Sequence, residues 1–244
     1  MFFVYNTKRL FYERYKGSKE TITFLHGWGC NSLTMKSLYN HFIKNDYDVV
    51  VVDFFGFGKS DMPDNKFTIY DYVDAILQLL NEEHIPSTHL ICHSFGGRVG
   101  LILSANYPII DKLVLLDSAG LKPRRGLLYY FRVYSYKLRK FLHLKNKGGS
   151  EDFKALPVCM QSVFINVVNT HLDNILCKIK NETLIIWGSH DNDTPLYMAK
   201  KLEENIINSG LIILEGGHFV FLDNYYAVVR ILDSFFEVKN ELHS

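Results

Sequence analysis

The chain has 244 residues, of which 48% are hydrophobic and 22% charged, and its formal net charge at pH 7 is +1. These values are typical of a globular protein with one large core, and the length fits a single domain. The nearly neutral charge gives no reason to expect nucleic acid as a partner. No apolar run approaches the roughly 18 residues that a membrane span needs, so we expect no membrane partner either.

The N-terminal segment and the cysteines indicate the compartment. Lys8 and Arg9 interrupt the first apolar residues and no small-residue cleavage site follows, so we do not interpret the segment as a signal peptide. The four cysteines show neither a CxxC pair nor the spacing of zinc ligands, and a chain with its own core does not need disulfides. We therefore expect free thiols, no metal site and a cytoplasmic location. The sequence indicates no oligomeric state.

Short apolar runs alternate with amphipathic stretches along the chain. Two β-like segments around Asn6-Thr-Lys predict a hairpin at 2–5 and 10–15. Six further strands are predicted at 21–25, 48–53, 89–92, 112–117, 183–187 and 210–214. Helical spacing predicts helices at 32–44, 68–83, 94–106, 195–207 and 222–238. This alternation predicts an α/β fold whose mostly parallel sheet is covered by helices on both faces.

The alternation stops between Gly120 and about Leu172, where no strand is predicted. Residues 121–147 contain nine Lys or Arg and no acidic residue, interleaved with aromatic residues. We interpret 120–172 as a helical cap inserted into a core made of 1–119 and 173–244. The cap cations have three interpretations. In the first, they hold a substrate carboxylate or phosphate, with Arg124 and Arg125 as candidates. In the second, they rest on an anionic membrane. In the third, which we favour, they face water while the aromatic residues cover a pocket.

One segment has the pattern of a nucleophile at a sharp turn from a strand into a helix. Cys92-His-Ser-Phe-Gly-Gly97 lies between the strand that ends at Cys92 and the helix that begins after Ser94. Such a turn exposes the serine at the sheet edge, and the helix N-terminus behind it favours developing negative charge. Cys92 occupies the first glycine position of the Gly-x-Ser-x-Gly pattern, so we expect added bulk beside the turn.

A nucleophilic serine needs a base, and the base needs a carboxylate that fixes its tautomer. His218 follows the last strand in Glu215-Gly-Gly-His-Phe219, where a loop can return it to the same sheet edge. The sequence offers Asp191 and Asp193 after the strand at 183–187, and Asp117 at the end of the strand at 112–117. Asp193, ahead of Pro195, is also typical of a helix cap, and Asp117 of a strand-end turn.

A tetrahedral intermediate needs hydrogen-bond donors for its oxyanion. His26-Gly-Trp-Gly29 follows the strand at 21–25, and its glycines let the backbone approach a substrate. We predict the backbone amides of Trp28 and Phe95 as the donors. The flanking residues His26, Gly27, His93 and Phe219 are candidates for lining the pocket.

The order of these segments, with a glycine-rich loop, a serine turn, an acid and a histidine each after a strand, resembles the α/β-hydrolase superfamily over nearly the whole chain. Asp53-Phe-Phe-Gly-Phe-Gly-Lys-Ser-Asp61 resembles the family's Asp-x-x-Gly-x-Gly-x-Ser segment, and Gly217-His-Phe219 resembles its histidine motif. Gly188-x-x-Asp191-x-x-x-Pro195 resembles its acid motif and selects Asp191 over Asp193. The resemblance implies the α/β-hydrolase fold and a triad of Ser94, His218 and Asp191.

The resemblance also implies a serine hydrolase that needs no cofactor and acts on a small-molecule substrate. A serine nucleophile disfavours haloalkane dehalogenases and epoxide hydrolases, which use an aspartate. The serine turn also lacks a second glycine before the serine and a tryptophan after it, which are typical of proline iminopeptidases. We expect a carboxylesterase for small or medium esters. The alternatives are a carbon–carbon bond hydrolase of the meta-cleavage-product type and a non-catalytic ligand-binding receptor.

Overall fold

The computed structural model describes residues 1–124 and 156–238 of the chain. The predicted hairpin and the six further strands all form: β1 Phe2–Tyr5, β2 Lys8–Tyr15, β3 Lys19–Leu25, β4 Tyr47–Asp53, β5 Thr88–His93, β6 Ile110–Leu116, β7 Glu182–Gly188 and β8 Ser209–Leu214. They form one eight-stranded sheet in the order β1-β2-β4-β3-β5-β6-β7-β8. Strands β3 to β8 pair in parallel, whereas β1 and β2 extend one edge by antiparallel pairing. The predicted fold class is confirmed.

The strand sequences explain their places in the sheet. Strands β4 and β5 are buried at every position, as expected for central parallel strands covered on both faces. The β1–β2 hairpin closes through Asn6 and Thr7, whose φ angles of 45° and 71° suit the two-residue turn that matches strand twist. The hairpin thus covers the β4 edge of the parallel sheet.

Helices cover both faces of the sheet: α1 Lys36–Lys44, α2 Ile69–Glu82, α3 Phe95–Asn106, α4 Val158–Asn169, α5 Tyr197–Asn205, α6 Val220–Asp223 and α7 Tyr225–Phe235. Helices α2, α3 and α5 bury their apolar side chains in one core cluster, and α1 and α7 bury theirs in a second cluster on the opposite face. Among the residues that the structure describes, no helix combines the length and the apolar character needed to cross a membrane.

Two predicted helices differ from the structure. The predicted helix at 32–44 begins as a 3-10 turn, Ser32–Met35, because the Asn31 side chain accepts a hydrogen bond from the Leu33 amide. The predicted helix at 222–238 is broken at Asn224, whose φ of −126° and ψ of 39° are not helical. The Asn224 side chain donates to the Glu215 carbonyl, so the break secures the loop that carries His218.

The predicted cap at 120–172 is described only at 120–124 and 156–172. Here α4 buries Met160, Val163 and Val167, and the Leu172 amide returns the chain to the Gly120 carbonyl at 2.9 Å. The remainder of the predicted cap, Arg125 included, lies outside the described residues.

The register of the parallel strands brings their carboxyl ends together. Leu25 pairs with Cys92, His93 with Leu116, Leu116 with Ile186, and Gly188 with Leu214. The loops that follow β3, β5, β6, β7 and β8 therefore emerge side by side at one edge. In open α/β sheets this edge is where ligands bind.

Gly96 packs α3 directly against the end of β3, so we expect Gly96→Ala to destabilise the fold by about 1–3 kcal/mol. A Cβ at this position would lie 2.1 Å from the Leu25 carbonyl oxygen, which is backbone and cannot rotate away. Gly210→Ala is the matched control, because a Cβ there has nothing within 4 Å. Urea unfolding measures both, and equal destabilisation by the two changes would contradict the close approach.

Candidate active site

Ser94 occupies a strained turn between β5 and α3. Its φ of 49° and ψ of −109° lie outside the ordinary regions for a residue with a side chain. The Ser94 amide donates to the Leu116 carbonyl at 3.1 Å, and the Ser94 carbonyl accepts from the Gly97 and Ala119 amides at 3.0 Å each. These bonds to α3 and to the end of β6 hold the strained conformation.

Cys92, which departs from the Gly-x-Ser-x-Gly pattern, is accommodated by α3. The side chain is fully buried, and a Cβ placed on Gly100 would lie 2.6 Å from the Cys92 sulfur. The sulfur therefore fills space that Gly100 leaves open, and the expected bulk is directed away from the Ser94 turn. Burial raises the pKa of the Cys92 thiol, so the group stays protonated near neutral pH.

His218 links Ser94 to Asp191. His218 Nε2 lies 2.9 Å from Ser94 Oγ, and His218 Nδ1 lies 2.8 Å from Asp191 Oδ2. Asp191 Oδ1 also accepts the amides of Asp193 and Thr194 at 2.8 and 2.9 Å. A carboxylate that only accepts fixes the proton on Nδ1 and leaves Nε2 to accept from the serine hydroxyl. Of the three candidate acids, Asp191 makes this contact.

The pair of Asp191 and His218 favours its charged forms. Burial by itself raises the pKa of Asp191, but the hydrogen bonds from His218 and Thr194 outweigh it and hold that pKa below the ordinary value. Burial by itself lowers the pKa of His218, but the hydrogen bond and the charge of Asp191 outweigh it and raise that pKa above the ordinary value. An imidazolium formed at His218 is therefore stabilised in place.

Thr194 is a site residue that our sequence reasoning missed. Its Oγ1 donates to Asp191 Oδ2 at 2.6 Å and lies 3.3 Å from His218 Nδ1 and 3.1 Å from the Asp117 carbonyl. It thereby holds the carboxylate that faces His218. The signal was present in the sequence, because a threonine three residues after an aspartate is a common hydrogen-bonding partner in local turns.

Asp117 lies beneath the site and ties two of its loops together. Its carboxylate accepts the Gly188 amide at 2.8 Å and the Val220 amide at 2.9 Å, and the residue is fully buried. Burial raises its pKa to about 7, against the opposite effect of the two amide donors. Both carboxylate oxygens are occupied by backbone, so Asp117 supports the loops of Asp191 and His218 instead of contacting the imidazole.

The predicted oxyanion donors lie beside Ser94. Trp28 and Phe95 both line the cavity that contains Ser94. Within the described residues neither amide has a hydrogen-bond acceptor, whereas the adjacent Gly96 amide donates to the His26 carbonyl at 3.0 Å. That bond joins the two backbone segments. The Trp28 and Phe95 amides therefore stay the predicted donors for a developing oxyanion.

Of the residues expected to line the pocket, the structure places Phe219 in the cavity wall and the other three beneath it. His26 is buried, its Nδ1 donating to the Gly27 carbonyl and its Nε2 accepting from the Phe54 amide. His93 is buried and its Nε2 donates to the His218 carbonyl at 2.8 Å. A Cβ on Gly27 would lie 2.7 Å from His93 Nδ1, so Gly27 allows this close packing. Burial lowers the pKa of both histidines, which act as neutral supports.

The cavity above Ser94 has a volume of about 680 Å³, within the usual range for small-molecule sites. Its walls are largely apolar and come from the loops and from α4. Trp28 forms edge-to-face contacts with Phe57, Phe95 and Phe164 at 4.9–5.3 Å. Among the described residues, the polar side chains in the wall are Ser94, Arg98, Asp193, Thr194 and His218.

Arg124, one of the cations considered for anion binding, lies outside this cavity. Arg124 stacks over the Tyr197 ring at 4.7 Å and lines a separate surface depression with Lys122 and Lys200. In the described part of the chain, one cluster has metal-ligand chemistry: Asp191, Asp193 and His218, whose ligand atoms lie within 4.8 Å of one another. A metal ion there would have to displace the hydrogen bond between Asp191 and His218.

Comparisons with known proteins concern the fold that carries this site. A family model described as "alpha/beta hydrolase fold" matches residues 20–146. The "AB hydrolase superfamily protein YisY" of Bacillus subtilis is 26% identical, over 90% of this chain and 92% of that protein. The "2-hydroxymuconate semialdehyde hydrolase" of Pseudomonas putida is 25% identical, over 80% and 79%. The solved structure of an esterase from Exiguobacterium antarcticum superposes with a TM-score of 0.76 at 24% identity, over 94% and 96%.

The geometry distinguishes the candidate acids by their effect on His218. We expect Asp191→Asn to lower the pKa of His218, because burial then acts without the hydrogen bond and the full charge that oppose it. Asp193→Asn should lower it less, since Asp193 acts on His218 by charge alone. NMR titration of the His218 ring nitrogens measures both shifts. A larger decrease in Asp193→Asn would exclude Asp191 as the principal partner.

Proposed function

The chain belongs to the α/β-hydrolase fold family, and we propose that it is a serine hydrolase that cleaves small or medium carboxylic esters. The observation that carries this proposal is the continuous hydrogen-bonded chain from Ser94 Oγ through His218 to Asp191, at 2.9 and 2.8 Å. It opens into an apolar cavity of about 680 Å³, which fits an ester with an acyl or alkyl chain.

In the proposed reaction Ser94 Oγ attacks the ester carbonyl carbon while its proton passes to His218 Nε2. The amides of Trp28 and Phe95 donate to the resulting oxyanion. Collapse breaks the bond to the alcohol oxygen, which takes the proton from His218 and leaves an acyl-enzyme. A water molecule then attacks the acyl carbon and gives its proton to His218. Release of the acid restores the Ser94 hydroxyl.

Asp191 stabilises the imidazolium that forms twice in this cycle. Its charge is fully present near neutral pH because its pKa lies below the ordinary value. The Asp193 and Thr194 amides and the Thr194 hydroxyl hold its oxygens, so the carboxylate keeps its orientation as His218 gains and loses a proton. The Trp28 and Phe95 amides belong to backbone that is in place before the substrate binds. We therefore expect them to stabilise the transition state without any rearrangement during the reaction.

A carbon–carbon bond hydrolase is the second candidate. The observation in its favour is the similarity to 2-hydroxymuconate semialdehyde hydrolase over about four fifths of both chains. The same serine, histidine and aspartate serve either bond. A panel of 4-nitrophenyl esters of increasing length and a vinylogous diketone acid separates the two: preferred turnover of the diketone acid would replace the esterase proposal. Turnover of none, without labelling by a fluorophosphonate, would favour a ligand-binding receptor.

The organisation around the site completes the proposal. We propose that 120–172 forms a cap over the core, supported by α4, which contributes Phe164 and Val167 to the cavity wall. A cytoplasmic location is supported by the four cysteines, Cys30, Cys92, Cys159 and Cys177, all of which are unpaired. The expected partner is a small-molecule substrate.

We expect Ser94→Ala to abolish labelling by a fluorophosphonate and to lower kcat for an ester by about 10³- to 10⁶-fold, since the nucleophile is lost. Mass spectrometry of the labelled peptide and initial rates provide the measurements. Ser104→Ala is the matched control, because Ser104 lies buried on the same helix α3 and its Oγ has no partner in the described residues. Labelling that survives in Ser94→Ala would identify a different nucleophile.

The pH dependence follows from the raised pKa of His218. The imidazole must be neutral to accept the Ser94 proton, so kcat/KM for a neutral ester should fall as pH decreases through a pKa above the ordinary histidine value of about 6.5. The rate of fluorophosphonate labelling should show the same acidic limb, because it depends on the same proton transfer. An acidic limb centred clearly below pH 6.5 would contradict His218 as the base with Asp191 beside it.

A further inference from the structure

Arg98 is a buried cation in the wall of the cavity that contains Ser94. It lies four residues after Ser94, on the same face of α3, so its Cα is about 6 Å further along the helix axis. The residue is only 8% exposed. Lys and Arg are rarely buried to this degree unless an acidic group pairs with them.

The guanidinium is only partly satisfied. Nη1 donates to the carbonyls of Val167 and Thr170 at 3.0 and 2.7 Å, at the end of α4. In the described part of the chain, Nε and Nη2 have no acceptor. They are also not among the buried polar atoms that are sealed from solvent without a partner. Among the described residues, two donors of Arg98 are therefore left without an acceptor, in the wall of the cavity that contains Ser94.

The positive charge of Arg98 also has no counterion among the described residues. None of their ion pairs includes Arg98, although Asp193 contributes to the same cavity wall. Burial lowers the pKa of Arg98 to about 10, which still leaves it charged near neutral pH. The carbonyls at the end of α4 supply partial negative charge only. A ligand anion in the cavity would supply the rest.

We propose that Arg98 binds a carboxylate of the substrate, so that the enzyme acts on esters that carry a second, ionised carboxyl group. This inference rests on the proposed function of Ser94. Ser94 and Arg98 are separated by about one helical turn. This distance suits a substrate whose carboxylate lies a few methylene groups from its ester carbonyl. The intervening chain would pack against the apolar wall formed by Leu121, Phe164 and Val167. The planar fork of N–H groups that have no acceptor among the described residues matches a carboxylate, which accepts through two oxygens.

Arg124, the basic residue at the end of the described start of the predicted cap, does not provide this site. Arg124 stacks on Tyr197 and lines a surface depression that is separate from the cavity of Ser94. The interpretation that Arg124 holds a substrate anion, which the sequence analysis left open without favouring it, is therefore replaced by a proposal for Arg98. Arg124 also supplies a control, because its replacement removes a guanidinium of the same kind outside the cavity.

The test compares matched substrates on the full chain. The anionic substrates are 4-nitrophenyl monoesters of glutaric and adipic acid, each with a neutral isostere in which an isopropyl group replaces the carboxylate. After subtraction of the uncatalysed rates, we expect wild type to prefer the anionic member by kcat/KM. Arg98→Met should lower the ratio of anionic to neutral kcat/KM by about 10- to 100-fold, the usual loss for a hydrogen-bonded charge. Arg124→Met should keep the wild-type ratio.

Wild type alone supplies a second measurement that does not depend on the folding of a variant. Glutarate should inhibit hydrolysis of the neutral ester competitively and more strongly than the neutral diamide of glutarate. A ratio unchanged in Arg98→Met, or equal inhibition by glutarate and its diamide, would overturn the inference. Suppose that wild type is labelled at Ser94 and hydrolyses the neutral ester without any preference for the anionic one. The inference about Arg98 is then wrong, and the proposed serine hydrolase function stands. Absence of both labelling and hydrolysis would overturn both.

Discussion

The carboxyl end of β6 is the support on which the candidate site depends. The Leu116 carbonyl accepts the Ser94 amide, and the buried Asp117 carboxylate accepts the amides of Gly188 and Val220. These bonds reach the loops of the serine, the acid and the histidine from one strand end. Because Asp117 is fully buried, losing either amide would leave a buried carboxylate under-satisfied, which is costly. The relative positions of Ser94, Asp191 and His218 are thereby fixed before any substrate binds.

Two buried histidines extend this support to the oxyanion side. His26 joins the loop after β3 to the backbone at Phe54, and His93 holds the carbonyl of His218. Each needs one defined neutral tautomer, since one ring nitrogen of His26 donates while the other accepts, and His93 donates through Nε2. Burial, which lowers the pKa of both, keeps them in that state. The imidazoles of His26 and His93 thus hold the backbone of the site in position, whereas the imidazole of His218 faces the serine.

The sequence was sufficient for the features that depend on neighbouring residues. The strands follow from apolar runs, and Ser94, His218 and three candidate acids follow from short segments directly after strands. The resemblance to the α/β-hydrolase acid motif selected Asp191 over Asp193. Contacts between distant residues were not predictable in this way. The role of Asp117 depends on amides 71 and 103 residues away, and that of Arg98 on carbonyls of α4, 69 and 72 residues away. His26 and His93 were expected in the pocket because they flank the motifs, yet they lie beneath it, where packing against neighbouring loops decides their direction.

The contact of Cys92 with Gly100 carries a consequence for variation in this family. Gly100 on α3 has no side chain at the place where the Cys92 side chain extends from β5. The two positions therefore share a fixed volume. Glycine at position 92 together with alanine at position 100 would preserve that volume, whereas either change alone would leave a void or a clash. Their effects on stability should be non-additive, and the pair should vary together among relatives. The unusual serine motif is therefore one half of an exchange between β5 and α3, with the Ser94 backbone unaffected.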